Sequence, residues 1–118
     1  MYIFLGGGIG SIIRYIISNR FNYSDPSDNY WPIGTLIINV FSCFVLGYFY
    51  KYFIDKTTIS SGYFLLIVGL CGGMSTFSTF VYELFQFSAK GQLGIGVIYV
   101  LTSLVTGCLA LYLGIEKL

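Results

Sequence analysis

Long apolar runs alternate with short polar ones along this chain. No Lys, Arg, Asp or Glu occurs in residues 1–13, 29–50, 57–82 or 91–115. A helix that spans a bilayer needs about 20 apolar residues. Three of these windows are long enough alone. The first becomes so once Arg14 is placed near a helix end, its stem reaching toward the interface. The pattern therefore predicts four membrane helices, over about residues 2–19, 32–53, 62–87 and 91–114. Neither a linker nor an internal repeat separates them, so 1–118 reads as a single four-helix transmembrane domain.

The polar intervals carry boundary signals. Asp25-Pro26-Ser27-Asp28-Asn29 is a cluster of turn formers. Tyr30 and Trp31 suit the membrane–water interface, as do Tyr48, Tyr50 and Tyr52 at the far end of the second helix. Pro32 opens that helix, where its missing N–H costs nothing. The second loop holds Lys51, Asp55, Lys56 and the run from Thr57 to Ser61. Gly6 and Gly10 have the spacing that lets two helix backbones approach closely. The N-terminal run lacks a basic start and a small-x-small cleavage pattern, so it reads as a retained helix. Asn22-Tyr23-Ser24 matches a glycosylation sequon, which is set aside in a chain read as bacterial.

Composition supports the membrane reading. The chain of 118 residues is 56% hydrophobic and 9% charged, where a soluble domain carries about 25% charged residues. A net charge of +1 offers nothing to nucleic acid. The absence of His excludes imidazole acid–base chemistry and His metal sites within the chain. Cys43, Cys71 and Cys108 all fall inside helices without C-x-x-C spacing, which fits apolar filler. With no nucleophile constellation or acid–base pair, the chain does not read as an enzyme. Lys51, Lys56 and Lys117 share one side of a four-span topology, against Arg20, Lys90 and Arg14 on or near the other. Orientation is set by an asymmetry of such charges. A chain this balanced could insert both ways up; the alternative is a fixed orientation chosen by weak cues.

The third segment is the most informative. Gly69-Leu70-Cys71-Gly72-Gly73-Met74-Ser75-Thr76-Phe77-Ser78-Thr79-Phe80 places two adjacent glycines and four hydroxyl residues in mid-span. Non-helical backbone at membrane depth survives only in protein or against a cavity, and transporters use such breaks to bind ions. The alternative is a tight packing face, with Ser and Thr bonded to the preceding turn. Phe77 and Phe80 are spaced to share a face, as are Thr76, Thr79 and Glu83. A ring edge is electropositive, so a Phe pair can meet an anion without a fixed charge. Asn39 is either a donor to an anion or glue between helices. Tyr99, Ser103 and Gly107 form a stripe on the fourth helix.

These motifs together resemble the Fluc/CrcB fluoride channels over nearly the whole chain. Gly7-Gly8-Ile9-Gly10-Ser11-Ile12-Ile13-Arg14-Tyr15 resembles the family's first-helix G-G-x-x-G-A-x-x-R-Y. Pro32-Ile33-Gly34-Thr35-Leu36-Ile37-Ile38-Asn39 resembles its P-x-G-T-L-x-x-N, and Gly69 to Phe80 with Glu83 resembles G-x-x-G-G-x-T-T-F-S-T-F-x-x-E. The resemblance implies an all-α membrane protein with a broken third helix. It implies an antiparallel, dual-topology dimer with two pores that export fluoride passively across the bacterial plasma membrane and relieve its toxicity. Asn39, Phe77, Phe80, Ser78, Thr79, Tyr99 and Ser103 would line the fluoride pathway, with Arg14 and Glu83 at a vestibule. The carbonyls of Gly72 and Ser75 would hold a structural Na+ at the dimer axis. The partner would be a second copy or a paralogous subunit of fixed orientation. Ser11 and Ser42 depart from the usual Ala and Gly, and Ser75 from the first Thr of T-T-F-S-T-F. An ion site made of backbone carbonyls tolerates that last change.

Two other readings stand beside this one. A small proton-coupled multidrug exporter needs an acid embedded in the membrane. Glu83, near the end of the third segment, is the nearest to one. A non-transporting assembly subunit would leave liposomes ion-tight.

Overall fold

The architecture in the computed structural model follows the apolar pattern. It describes residues 1–24, 30–54, 56 and 59–116. Asp25, Pro26, Ser27, Asp28 and Asn29, Asp55, Thr57 and Thr58, and Lys117 with Leu118 lie outside the described residues. The turn-former cluster, part of the second loop and one lysine of the charge balance fall there. In chain order come α1 (Tyr2–Phe21), two short strands, β1 (Tyr23–Ser24) and β2 (Tyr30–Trp31), and α2 (Ile33–Ile54). The third segment follows as α3 (Ser61–Tyr63), a π-helical stretch (Phe64–Cys71), α4 (Gly72–Met74) and α5 (Phe77–Ala89). The last helix is α6 (Leu93–Glu116). The helix ends agree with the sequence pattern to within about two residues, the ordinary scatter of helix termini.

Local chemistry explains the boundaries. The Leu36 amide donates to the Pro32 carbonyl at 3.1 Å, so the helical ladder begins where the proline predicts. The fourth helix starts later than expected because Gly91, with φ of 70°, closes the turn after α5. The Gln92 amide reaches back to the Phe87 carbonyl at 2.8 Å, a closure that favours a residue without a Cβ. β1 and β2 pair antiparallel, Tyr23 opposite Trp31 and Ser24 opposite Tyr30.

Two helix pairs make up most of the packing. α1 lies along the first half of the third segment, and α2 lies along α6. Glycines permit both approaches. A Cβ on Gly6 would strike the Leu65 carbonyl, and one on Gly10 the Leu70 carbonyl. Gly47 and Gly114 stand in the same relation to the Leu111 and Phe44 carbonyls. Ile38, Cys71 and Met74 form a small core between the pairs, flanked by Ile13, Ile17 and Leu46. α5 is held mainly by α6.

The remaining surface is apolar. Phe4, Ile12, Phe41, Phe85, Ile98, Leu109 and Tyr112 are all exposed. Such a surface aggregates in water and is what lipid tails require. Among the described residues three helices are long and apolar enough to cross a membrane: Ile33–Ile54, Ser61–Ala89 and Leu93–Glu116. α1 has 20 residues but is diluted by its glycines, Arg14 and Arg20. It reaches membrane depth through its contact with the third segment. The molecule is 52 Å along its longest axis, against about 40–45 Å for a bilayer with its headgroups. The chain is an all-α membrane protein in which the third segment is broken.

Candidate functional site

The break falls at Ser75 and Thr76, whose backbones are extended at φ −75°, ψ 153° and φ −148°, ψ 115°. Side chains hold it open. In a continuous helix the Thr76 amide would pair with the Gly72 carbonyl. It donates instead to Asn39 Oδ1 at 3.1 Å. The Thr79 amide, which would pair with the Ser75 carbonyl, donates to Thr76 Oγ1 at 3.3 Å and so starts α5. Both Gly72 and Ser75 carbonyls thereby lose their helical donors. Arg14 Nη1 approaches the Ser75 carbonyl at 3.5 Å. Ser42, buried in α2, donates to the Cys71 carbonyl at 3.1 Å, where the π-helical stretch ends. A glycine there would leave that carbonyl with the Ser75 amide alone.

The bond to Thr76 fixes the Asn39 amide. Its oxygen faces the break, so its NH₂ points away, and among the described residues nothing accepts from it. Phe77, the first residue of α5, is 79% exposed. Its ring lies 6.5 Å from that of Phe80, which lies 5.2 Å from Tyr99. Ser78 and Thr79 are exposed beside them. Phe77, Phe80, Ser78 and Thr79 thus stand together at the start of the helix that follows the break, and Asn39 meets the break from α2.

A second polar cluster lies further along α5. Glu83 is 1% exposed and sits in mid-helix, deeper than its sequence position near the end of the segment suggests. Thr35 Oγ1 donates to Glu83 Oε1 at 2.6 Å, Tyr30 Oη to the same oxygen at 3.3 Å, and Tyr99 Oη to Oε2 at 2.8 Å. Gly34 makes this possible. A Cβ there would lie 2.8 Å from the Ile17 carbonyl, so glycine lets α2 press against the end of α1 and brings Thr35 beneath Asn22. Burial, with the Glu83 carboxylate next, pushes the Tyr30 phenol up to about 12, so it remains a donor at physiological pH. Tyr30 is therefore not simply an interfacial anchor.

Other expected residues are placed differently. Tyr99 belongs to the Glu83 cluster as well as to the aromatic row. Ser103 donates to the Tyr99 carbonyl at 2.7 Å, and Thr106 to the Thr102 carbonyl at 2.6 Å. These are back-bonds to the preceding turn, the ordinary habit of a hydroxyl in a membrane helix. Sequence reasoning does not reach Thr35, Asn22 or Tyr30 as site residues. Thr35 lies inside the P-x-G-T motif, but nothing in the sequence joins it to Glu83, 48 positions away.

The family described as CrcB-like protein, Camphor Resistance (CrcB), matches residues 1–115. The chain belongs to this family. Relatives of similar length match most of the chain. The fluoride-specific ion channel FluC of Pyrococcus horikoshii is 35% identical over 113 residues, which are 95% of this chain and 89% of that one. Its namesake in Flavobacterium psychrophilum is 36% identical over 97% of this chain and 91% of its own. That of Aquifex aeolicus is 36% identical over 93% and 88%. The CrcB-like match spans α1 to the last turns of α6, so both polar clusters lie within it.

Proposed function

We propose that this chain is a fluoride-selective channel of the plasma membrane, which lets the ion leave the cell down its gradient and catalyses no reaction. The observation that carries the reading is the break at Ser75 and Thr76: Asn39 Oδ1 holds its Thr76 amide, which leaves the Asn39 NH₂ without an acceptor among the described residues, and the Phe77 and Phe80 rings open the helix that follows. Fluoride is small and strongly hydrated, so its pathway must replace water by donors. An amide, hydroxyls and ring edges do this without the trap that a buried Lys or Arg would set, and conduction needs an ion able to leave. Asn39, Phe77, Phe80, Ser78 and Thr79 form the near part of this pathway. On α6 Tyr99 adjoins it through its ring, 5.2 Å from that of Phe80, while the hydroxyl protons of Tyr99 and Ser103 go to Glu83 and to the Tyr99 carbonyl, and Arg14 stands beside it at the Ser75 carbonyl.

Gly72 and Ser75 fit a structural Na+. Their carbonyls have lost their helical donors, both residues are exposed, and nothing lies within 4 Å of a Cβ built on Gly72, although an ion at the Ser75 carbonyl would displace the Arg14 guanidinium that approaches it at 3.5 Å. One copy offers such an ion oxygens from one side only; an inverted second copy completes the shell. Bound there, Na+ would give the dimer a fixed point. Ser78 and Thr79 are exposed at the same break, small polar residues that fit protein contact better than lipid. The partner in this reading is an antiparallel copy or a paralogous subunit.

A proton-coupled exporter needs an acid that opens to substrate, whereas Glu83 is buried and holds three hydroxyls. The deciding experiment is efflux from liposomes that hold only this chain, read with a fluoride electrode after a potassium ionophore is added. Fluoride should leave, chloride should stay, and a proton gradient should make no difference. Equal fluxes of the two halides would refute selectivity, and ion-tight liposomes would favour an assembly subunit.

A further inference from the structure

Asn22, the first residue after α1, closes the outer end of the Glu83 cluster. Its hydrogen-bond directions are forced. The Thr35 backbone amide can only donate, so the Asn22 atom that meets it at 3.1 Å is Oδ1. The other arm of the side chain is then NH₂, which can only donate. It reaches Tyr30 Oη at 2.7 Å and Thr35 Oγ1 at 3.2 Å. Each of those hydroxyls has a single proton. With Asn22 donating to their oxygens, both protons turn to Glu83 Oε1.

We propose that Asn22 is a positioning residue that sets the proton direction of the Thr35 and Tyr30 hydroxyls, so that Glu83 is held as an acceptor-only carboxylate. The titratable groups that face Glu83 are Tyr30 from β2 and Tyr99 from α6, both as donors. Tyr82 acts on Tyr30. One amide at the loop thus turns two donors toward Oε1 of an acid deep in α5 and favours its carboxylate from that side, while Tyr99 meets Oε2 independently. Only the transport consequence rests on the fluoride reading: a Glu83 that takes up a proton would turn a donor cluster into a mixed one.

The test uses full-length protein in liposomes. The Glu83 carboxylate is identified by infrared difference as the band lost in Glu83→Gln. Asn22→Ala removes both donors without adding charge. Glu83 should then take its proton at a pH higher than in the parent protein by about one unit, and fluoride flux should fall roughly tenfold. An unchanged carboxylate titration in Asn22→Ala overturns the proposal. Should that variant not fold, Asn22→Asp decides. The new carboxylate keeps the acceptor for Thr35 N–H but reverses the other arm, so the hydroxyl protons turn outward and the protein melts lower. Adding Glu83→Gln supplies an NH₂ to meet the reversed hydroxyls and should restore melting. Glu83→Gln should bring no such gain when Asn22 is intact. Equal effects in the two backgrounds overturn the proposal. A parent protein that carries no fluoride would refute the channel reading, while the infrared titration would still decide the role of Asn22.

Discussion

At the scale of single residues, Phe77 and Phe80 separate two physical roles that a ring can play. Packing needs volume, and Phe→Ile keeps most of it. Contact with an anion needs the electropositive ring edge, which Ile lacks. Phe77 is so exposed that its loss costs the subunit little packing. Phe77→Ile and Phe80→Ile are therefore expected to leave size-exclusion behaviour unchanged and to lower fluoride flux by about tenfold or more, as loss of about 1.4 kcal/mol of ion stabilisation would. Unchanged flux in both would assign the rings to packing. That Phe77 and Phe80 stand together beside the break is legible in the sequence, because their spacing is short-range. The Glu83 cluster is not. It joins residues 13, 48 and 53 positions apart, and only the path of the chain shows that Asn22, Tyr30 and Thr35 converge on one carboxylate.

At the scale of elements, the four helices can be read from the apolar windows, because a bilayer leaves a chain few alternatives to the helix. The break in the third segment can be read from its glycines and hydroxyls. How the break is held is legible only as one of two alternatives: Asn39 of α2 takes an amide from another helix, as glue between helices would, but the sequence does not name Thr76 as its partner. Nor does the sequence show the π-helical stretch, whose last carbonyl is met by Ser42. Helix pairing is partly legible. Gly6 and Gly10 share a spacing with many glycine pairs, but only the structure shows that their partner is the third segment. The two kinds of glycine on α1 then make a sharp contrast. Gly10→Ala places a methyl against the Leu70 carbonyl and the Met74 amide, both backbone atoms that cannot turn aside. It should lower stability by about 1–3 kcal/mol, the usual cost of overpacking. Gly8→Ala meets nothing within 4 Å inside the subunit and should melt as the parent does. Thermal melting in detergent, read by size exclusion, checks both; equal melting would mean that α1 does not pack as described.

At the scale of the whole molecule, the open question is what covers the face where the third segment breaks. Phe64, Val68, Gly72 and Ser75 form an exposed stripe that runs from one end of this segment to its break. In a parallel dimer, equivalent residues meet at every depth. In an antiparallel dimer with its two-fold axis in the membrane plane, a residue meets its own equivalent only near that axis. Single cysteines placed along the stripe, in a background without Cys43, Cys71 and Cys108, therefore distinguish the two. Ser75→Cys and Gly72→Cys should cross-link to a second copy, and Phe64→Cys should not. Cross-linking at all three would establish a parallel pair and contradict the proposed ion site. The balance of Lys51 and Lys56 against Arg14, Arg20 and Lys90 gives an independent check. C-terminal reporters active on opposite sides of the membrane should both give signal, because so small a bias fixes no orientation. Two lysines added at the C-terminus should drive that end to the cytoplasm, deplete inverted partners and lower flux together with the Ser75→Cys cross-link. A single orientation in the unmodified chain, with flux intact only when a second protein is supplied, would mean that a paralogous subunit contributes the inverted half.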